Sequence, residues 1–273
     1  MTIITMRLIK MILFVLPSVL SAHIMAGVGK GSSVLVCYGK MDPELVKGYD
    51  YVILESAHYN IYELRKIKSQ NEKVLAYISI GEVNSNAPHF NELKDHTAGK
   101  NEIWDSYYLD LKSEKTVSTL LRIIDKTLEK GYDGFFLDNV DNYTTWGAQP
   151  NQKKDLVNFL KSLSEKYPHK TWIQNAGIEL IPDTAAYVDA VVVESVATNY
   201  TFEDKSYKLR PEGDFKAQAQ KLTEINKKYN MPIILIEYAD SQKLYKQVVQ
   251  RIKPLGFDYF IGEIELQTIP TFQ

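Results

Sequence analysis

Gly131–Tyr143 reads GYDGFFLDNVDNY. A short apolar run, Phe135–Leu137, empties into Asp138, with Asn139 and Asp141 close behind. Unbroken hydrophobicity over so few residues marks a strand covered on both faces, as in a parallel sheet. The first polar residue beyond such a strand lands at the rim of a cleft. Seven other runs share the pattern: Val34–Tyr38, Tyr51–Glu55, Val74–Ile80, Thr171–Asn175, Ala190–Glu194, Ile233–Glu237 and Tyr259–Gly262.

Amphipathic segments separate the runs. Val117, Leu120, Leu121, Ile124 and Leu128 keep helical spacing until Gly131 stops it. Leu156, Phe159, Leu160, Leu163 and Tyr167 repeat the rhythm after Pro150, and Phe215–Tyr229 and Gln242–Ile252 supply two more helices. No Gly/Ser/Pro linker breaks the alternation. The fold class expected is α/β, a single-domain (β/α)₈ TIM barrel over residues 30–273. The chain stops at Gln273, so the last helix is expected to be short or missing, with the barrel closed by the N-terminal segment. A doubly wound open sheet is the rival, but no glycine-rich turn follows the first strand. Gly27–Ser32, GVGKGS, precedes that strand and reads as a leader.

Residues 1–22 read as a signal peptide: Arg7 and Lys10, then the apolar stretch Met11–Leu20, then Ser21-Ala22. Cleavage as late as Ala26 fits too, and either site implies a secreted or periplasmic protein. The apolar stretch is too short to span a membrane and contains Pro17. Losing the two basic residues takes the formal charge from -2 to -4. Without a basic block, nucleic acid is not an expected partner. The single cysteine, Cys37, lies inside VLVCY and reads as a packing residue.

Six runs end on or near a carboxylate: Glu55, Glu82, Asp138, Glu194, Glu237 and Glu263; a seventh ends at Asn175. No Lys or Arg ends a run. The five histidines fall outside every run, without an HxH or HExxH pair, which disfavours an imidazole-bound metal. A carboxylate-only cation site stays open, although no metal or other cofactor is called for. No GxSxG elbow is present. Glycoside hydrolysis fits the remaining side chains, since it needs one protonated carboxylic acid and a second carboxylate as nucleophile or base.

VLAYISIGE (Val74–Glu82), GYDGFFLDNVDNY, IQNAG (Ile173–Gly177) and VVVES (Val191–Ser195) together resemble the barrel domain of glycoside hydrolase family 114. That family is associated with endo-α-1,4-polygalactosaminidase activity. The resemblance implies a polysaccharide partner, an α-1,4-linked galactosamine polymer. It also implies Asp138 as nucleophile and Glu194 as acid/base, with retention at the anomeric carbon. Around them, Tyr77 and Ser79 alternate with apolar neighbours and should point into the barrel mouth. Asn139 and Asp141 either hydrogen-bond sugar hydroxyls or cap the loop. Glu55 and Glu82 either balance an ammonium or support other groups. Asn175 and Glu237 complete the strand-end candidates for substrate contact.

Tyr143, Trp146 and Tyr200 follow the strands that carry the two acids and could stack on sugar rings, whereas Trp172 reads as core. Two glycosylation sequons, Asn142-Tyr-Thr and Asn199-Tyr-Thr, lie beside the expected site. Two other readings remain: a carbohydrate-binding barrel without catalysis, and a hydrolase for another polysaccharide on the same scaffold.

Overall fold

A computed structural model describes residues 33–270. The signal-peptide reading of residues 1–22 and the leader at Gly27–Ser32 lie outside them. Eight strands form one parallel sheet: β1 (Val34–Cys37), β2 (Tyr51–Leu54), β3 (Lys73–Ser79), β4 (Gly134–Asp138), β5 (Thr171–Asn175), β6 (Ala190–Glu194), β7 (Ile233–Tyr238) and β8 (Asp258–Gly262). Each pairs with its sequence neighbour, and a parallel bridge between Ser33 and Tyr259 brings β8 round to β1. This nearly closed barrel is the TIM architecture.

Its walls are the apolar runs. Val34–Cys37, Val52–Leu54, Val74–Ala76 and Phe135–Leu137 are buried throughout, each large side chain contributing about 1.5–3 kcal/mol against exposure. Cys37 is among them, and burial pushes its thiol pKa up. Trp172 is core as well, stacked on Phe135 with ring centroids 5.7 Å apart.

Helices α1 (Ile61–Lys68), α2 (Glu114–Lys130), α3 (Lys153–Lys166), α4 (Glu212–Tyr229) and α5 (Gln242–Ile252) form the outer layer. Gly131 ends α2 in a left-handed conformation, φ 114°. The buried stripe of α2 centres on Leu120 and Ile124 but is flanked by Thr116, Thr119 and Thr127, rotated from the expected Val117–Leu128 face. In α3, Leu156, Phe159, Leu160 and Leu163 are the buried set, as their spacing requires.

Strict strand–helix alternation fails in four places. The β1–β2 connection contains no helix, because Pro43 and Gly48 interrupt a short segment. The chain after β3 first builds a three-stranded antiparallel sheet from Glu82–Asn84, Thr97–Asn101 and Ser106–Leu109. After β6 it builds a hairpin, Thr198–Thr201 with Ser206–Leu209. Among the described residues no helix follows β8. Instead, the Leu266 carbonyl accepts the Tyr38 N–H at 2.7 Å, laying the last segment against the end of β1.

At the N-terminal rim an aspartate precedes every even-numbered strand or opens it: Asp50, Asp133, Asp189 and Asp258. Three of them receive a backbone N–H from the start of the preceding strand. Ser33 donates to Asp50 at 2.7 Å, Val74 to Asp133 at 2.9 Å and Trp172 to Asp189 at 2.8 Å. The Asp of GYD in the opening stretch is therefore a strand anchor, far from the rim that carries Asp138.

Candidate active site

Asp138 ends β4 at the C-terminal rim, level with Ser79 across the sheet. Asn175 ends β5 and Glu194 ends β6. The residue after each of these three is non-glycine and left-handed: Asn139 (φ 60°), Ala176 (φ 60°) and Ser195 (φ 56°). Such backbone costs about 1–3 kcal/mol per residue and persists only where the surroundings impose it. Here it turns the chain sharply away from three adjacent strands, leaving three polar side chains facing one another.

The Asn175 side-chain nitrogen donates to Asp138 Oδ1 at 2.7 Å and to Glu194 Oε1 at 2.7 Å. Because one nitrogen touches both, those oxygens can be separated by no more than twice that distance. Tyr77 donates to Asp138 Oδ2 at 2.8 Å, and the Tyr238 hydroxyl donates to Glu194 Oε2. Both carboxyls have raised pKa values. Burial is the largest cause for Asp138, opposed by Asn175, Tyr77 and the Asn139 backbone. Burial also leads for Glu194, and the Asp138 charge adds to it. Tyr38 packs on Tyr77 with centroids 4.6 Å apart, and burial plus the charges of Asp138, Glu194 and Glu55 keep its hydroxyl protonated.

The other candidate residues divide by what they touch. Asp141 is exposed at the mouth, its pKa raised by partial burial of the carboxyl and by Asp138, and its charge reaches Glu194. Glu55 accepts the Ala57 N–H at 3.2 Å, and burial raises its pKa. Ser79 and Asn139 hold each other at 2.7 Å. Gly81 lets these turns meet, since a Cβ there would stand 2.3 Å from the Asn139 carbonyl oxygen.

Three candidates are spent on structure instead. Glu82 is buried and accepts from Asn142 at 3.0 Å, Asn101 at 3.2 Å and Ser106. Glu237 is fully buried and clamps the chain after β6 through the N–H groups of Ala197 (2.8 Å) and Thr198 (2.9 Å). Tyr143, expected to stack on sugar, is entirely buried and donates to the Ile80 carbonyl at 3.0 Å. Tyr200 stands out on the hairpin after β6, and Trp146 is 89% exposed.

The sequence reading missed Tyr238 and Tyr38. The alternation of strand side chains could have found Tyr238: with Glu237 turned to the outside of β7, its neighbour must face in. The two sequons differ as well: Asn142 is buried with its nitrogen engaged by Glu82, whereas Asn199 is exposed. Among the described residues, no three His, Cys, Asp or Glu side chains are grouped to hold a metal ion, and no helix is long and apolar enough to cross a membrane.

A nearly closed parallel barrel with two half-buried carboxyls bridged on its C-terminal rim is the scaffold of a barrel glycosidase. Residues 33–272 match the profile of glycoside-hydrolase family GH114, and the chain belongs to that family. The glycoside hydrolase domain of PelA from Pseudomonas aeruginosa is similar in structure, with a TM-score of 0.79 at 24% identity, over 88% of this chain and 98% of that domain. Ega3 of Aspergillus fumigatus, solved in complex with galactosamine, gives a TM-score of 0.66 at 18% identity, over 88% and 93% of the two chains. These are likenesses of fold. An uncharacterized protein of Deinococcus radiodurans is 21% identical over 152 residues, 54% of this chain, and the match spans only 47% of that protein's length.

Proposed function

We propose that this GH114 glycosidase is a secreted or periplasmic enzyme that cleaves an α-1,4-linked galactosamine polymer with retention at the anomeric carbon. The observation that carries the mechanism is the Asn175 nitrogen, 2.7 Å from both Asp138 and Glu194. The two bridged oxygens lie within twice that distance of each other, which supports the separation of roughly 5–5.5 Å used for a covalent intermediate over the roughly 6.5–9.5 Å that seats a water.

Asp138 receives Tyr77, Asn175 and the Asn139 backbone, three donors that favour its anion and aim it as nucleophile. Glu194 is buried beside that anion and so holds its proton to higher pH, as a general acid must. In the first step Asp138 bonds to the anomeric carbon, while the glycosidic oxygen takes the Glu194 proton and departs. In the second, water gives a proton to Glu194 and its oxygen to the anomeric carbon, releasing Asp138.

The charge around the site points to the substrate class. Asp138, Asp141, Glu194 and Glu55 gather at one mouth, and the nearby cations are engaged by backbone carbonyls, Arg210 by Ser195 at 3.0 and 2.9 Å and Lys130 by Ser56 at 3.2 Å. A cationic amino sugar supplies the missing countercharge. Ega3, which shares the fold, was solved with galactosamine.

The test is mass spectrometry of products from α-1,4-linked galactosamine oligomers, with and without N-acetyl groups, while NMR follows the anomeric proton. Asp138→Asn and Glu194→Gln should each lower kcat by about 10³-fold or more, with an unchanged fold by circular dichroism. Full activity in either variant overturns the pair; an inverted first product overturns retention.

A further inference from the structure

Two excursions rise from the C-terminal rim, one after β3 and one after β6, and their turns are built alike. The strands Thr97–Asn101 and Ser106–Leu109 turn through residues 102–105, and Thr198–Thr201 and Ser206–Leu209 through residues 202–205. The last residue of each turn is left-handed, Asp105 at φ 48° and Lys205 at φ 51°. Each turn carries one aromatic side chain, Trp104 or Phe202. Their rings meet edge to face with centroids 5.3 Å apart, although both stay about half exposed, at 46% and 48%.

The contact is part of a row. Phe202 meets Tyr200 at 5.0 Å, and Tyr200 meets Tyr207 at 4.8 Å. The Tyr207 hydroxyl accepts the Ile264 N–H at 3.1 Å, which roots the row beside the end of β8. Among the described residues no hydrogen bond or ion pair joins the two excursions, so the ring contact is the link between them. The strands lying between their bases are β4 and β5, the ones that end in Asp138 and Asn175.

The half-exposed rings are flanked by exposed Glu102, Asp105, Glu203 and Asp204, with Ile103 the one exposed aliphatic neighbour, and acids in that excess suit a cationic sugar better than an apolar protein face. A pyranose offers a flat C–H face to an aromatic ring, and a protonated amino sugar adds attraction to the ring's negative face. The root of the row at Tyr207 feels the charges of Glu263 and Asp240, and the hairpin that carries it follows directly on the strand ending in Glu194, so one cationic chain can reach both. We propose that Trp104 and Phe202 form an outlying sugar site, which holds a galactosamine polymer several units away from the bond under attack. The proposal rests on the substrate reading above and extends it to chain length.

The test compares kcat/KM on galactosamine oligomers of defined length for the wild type, Trp104→Ala and Phe202→Ala. The ratio of long-chain to dimer kcat/KM should fall about tenfold in each variant. Leu45→Ala, at an exposed apolar position in the β1–β2 connection, should leave that ratio where it is. Trp104→Phe should restore most of it. A second measurement uses the Glu194→Gln background, in which long-oligomer affinity by calorimetry should drop on adding Phe202→Ala. An unchanged ratio with unchanged affinity overturns the aromatic site while leaving the substrate reading standing. A wild type that cleaves no galactosamine oligomer overturns the substrate reading, and the same calorimetry then decides the aromatic site alone.

Discussion

Asp133 and Asp138 sit at opposite ends of β4 and answer to opposite constraints. The first is fixed by two hydrogen bonds, from Val74 N–H and Lys68, and supports the strand. The second is half-buried, and burial raises its carboxyl pKa against three donors that favour the charge. Glu194 shares that conflict, and the consequence is measurable. Burial and the Asp138 charge raise its pKa in the folded chain, so on raising the pH the unfolded chain gives up this proton first. Its contribution is most favourable below the unfolded carboxyl value of about 4.3 and is lost as pH rises through the folded pKa. Glu194→Gln removes the charge and keeps the shape, at the cost of one of the two hydrogen bonds that Asn175 and Tyr238 give the carboxylate, a loss that does not depend on pH across the carboxyl range. Relative to the wild type, the variant should gain stability as pH rises from about 4 to about 7. Urea unfolding across pH checks this; a stability difference from the wild type that stays flat over that range contradicts it. Asp138 was legible in the sequence because it is the first polar residue after a buried run. Glu237 misled because a strand end says nothing of which face a side chain takes. The adjacent Tyr238 reaches Glu194, and Glu237 turns away to Thr198.

At the scale of elements, the barrel strands were legible from hydrophobicity alone, because a strand buried on both faces has no polar position to blur it. The excursions were not. Thr97–Asn101 reads TAGKN and Glu82–Asn84 reads EVN, too short and too polar to signal strands. What orders them is tertiary: Glu82 gathers Asn101, Asn142 and Ser106, and Glu237 grips Ala197 and Thr198. The aspartates preceding or opening the even strands form a fourfold repeat that is visible in the sequence once the strands are known. Asp133→Ala would leave the Val74 N–H and the Lys68 ammonium without this acceptor, at a cost of about 2–4 kcal/mol. The effect should appear in the midpoint of chemical denaturation. The same variant should keep its kcat per folded molecule, since the damage lies at the rim away from Asp138. A loss of kcat without loss of stability would contradict that division of labour between the two ends of the barrel.

At the scale of the whole molecule, charge is nearly balanced in total, with 32 basic and 34 acidic side chains, yet it is unevenly placed. Many lysines are held in ion pairs away from Asp138 and Glu194, such as Lys68–Asp133 at the N-terminal rim and Lys166–Asp125 on the helices. The mouth holds Asp138, Asp141, Glu194 and Glu55. A field of this kind acts locally: it draws cations to the cleft, while a net charge of -2 contributes little at long range. Salt screens such attraction, with a Debye length of about 10 Å at 0.1 M and about 3 Å at 1 M. For a deacetylated galactosamine oligomer, kcat/KM should therefore fall several-fold between about 20 mM and about 0.5 M salt. The fall should lie mainly in KM, since screening weakens capture before it weakens buried hydrogen bonds around Asp138. A fully N-acetylated oligomer carries no charge, and its kcat/KM should change by less than about twofold over the same range. Equal salt dependence for the two oligomers would mean that the acidic mouth does not select for the amine. Asp141→Asn sharpens the comparison, because Asp141 is the exposed acid of the group. It should flatten the salt response of the deacetylated oligomer more than that of the acetylated one.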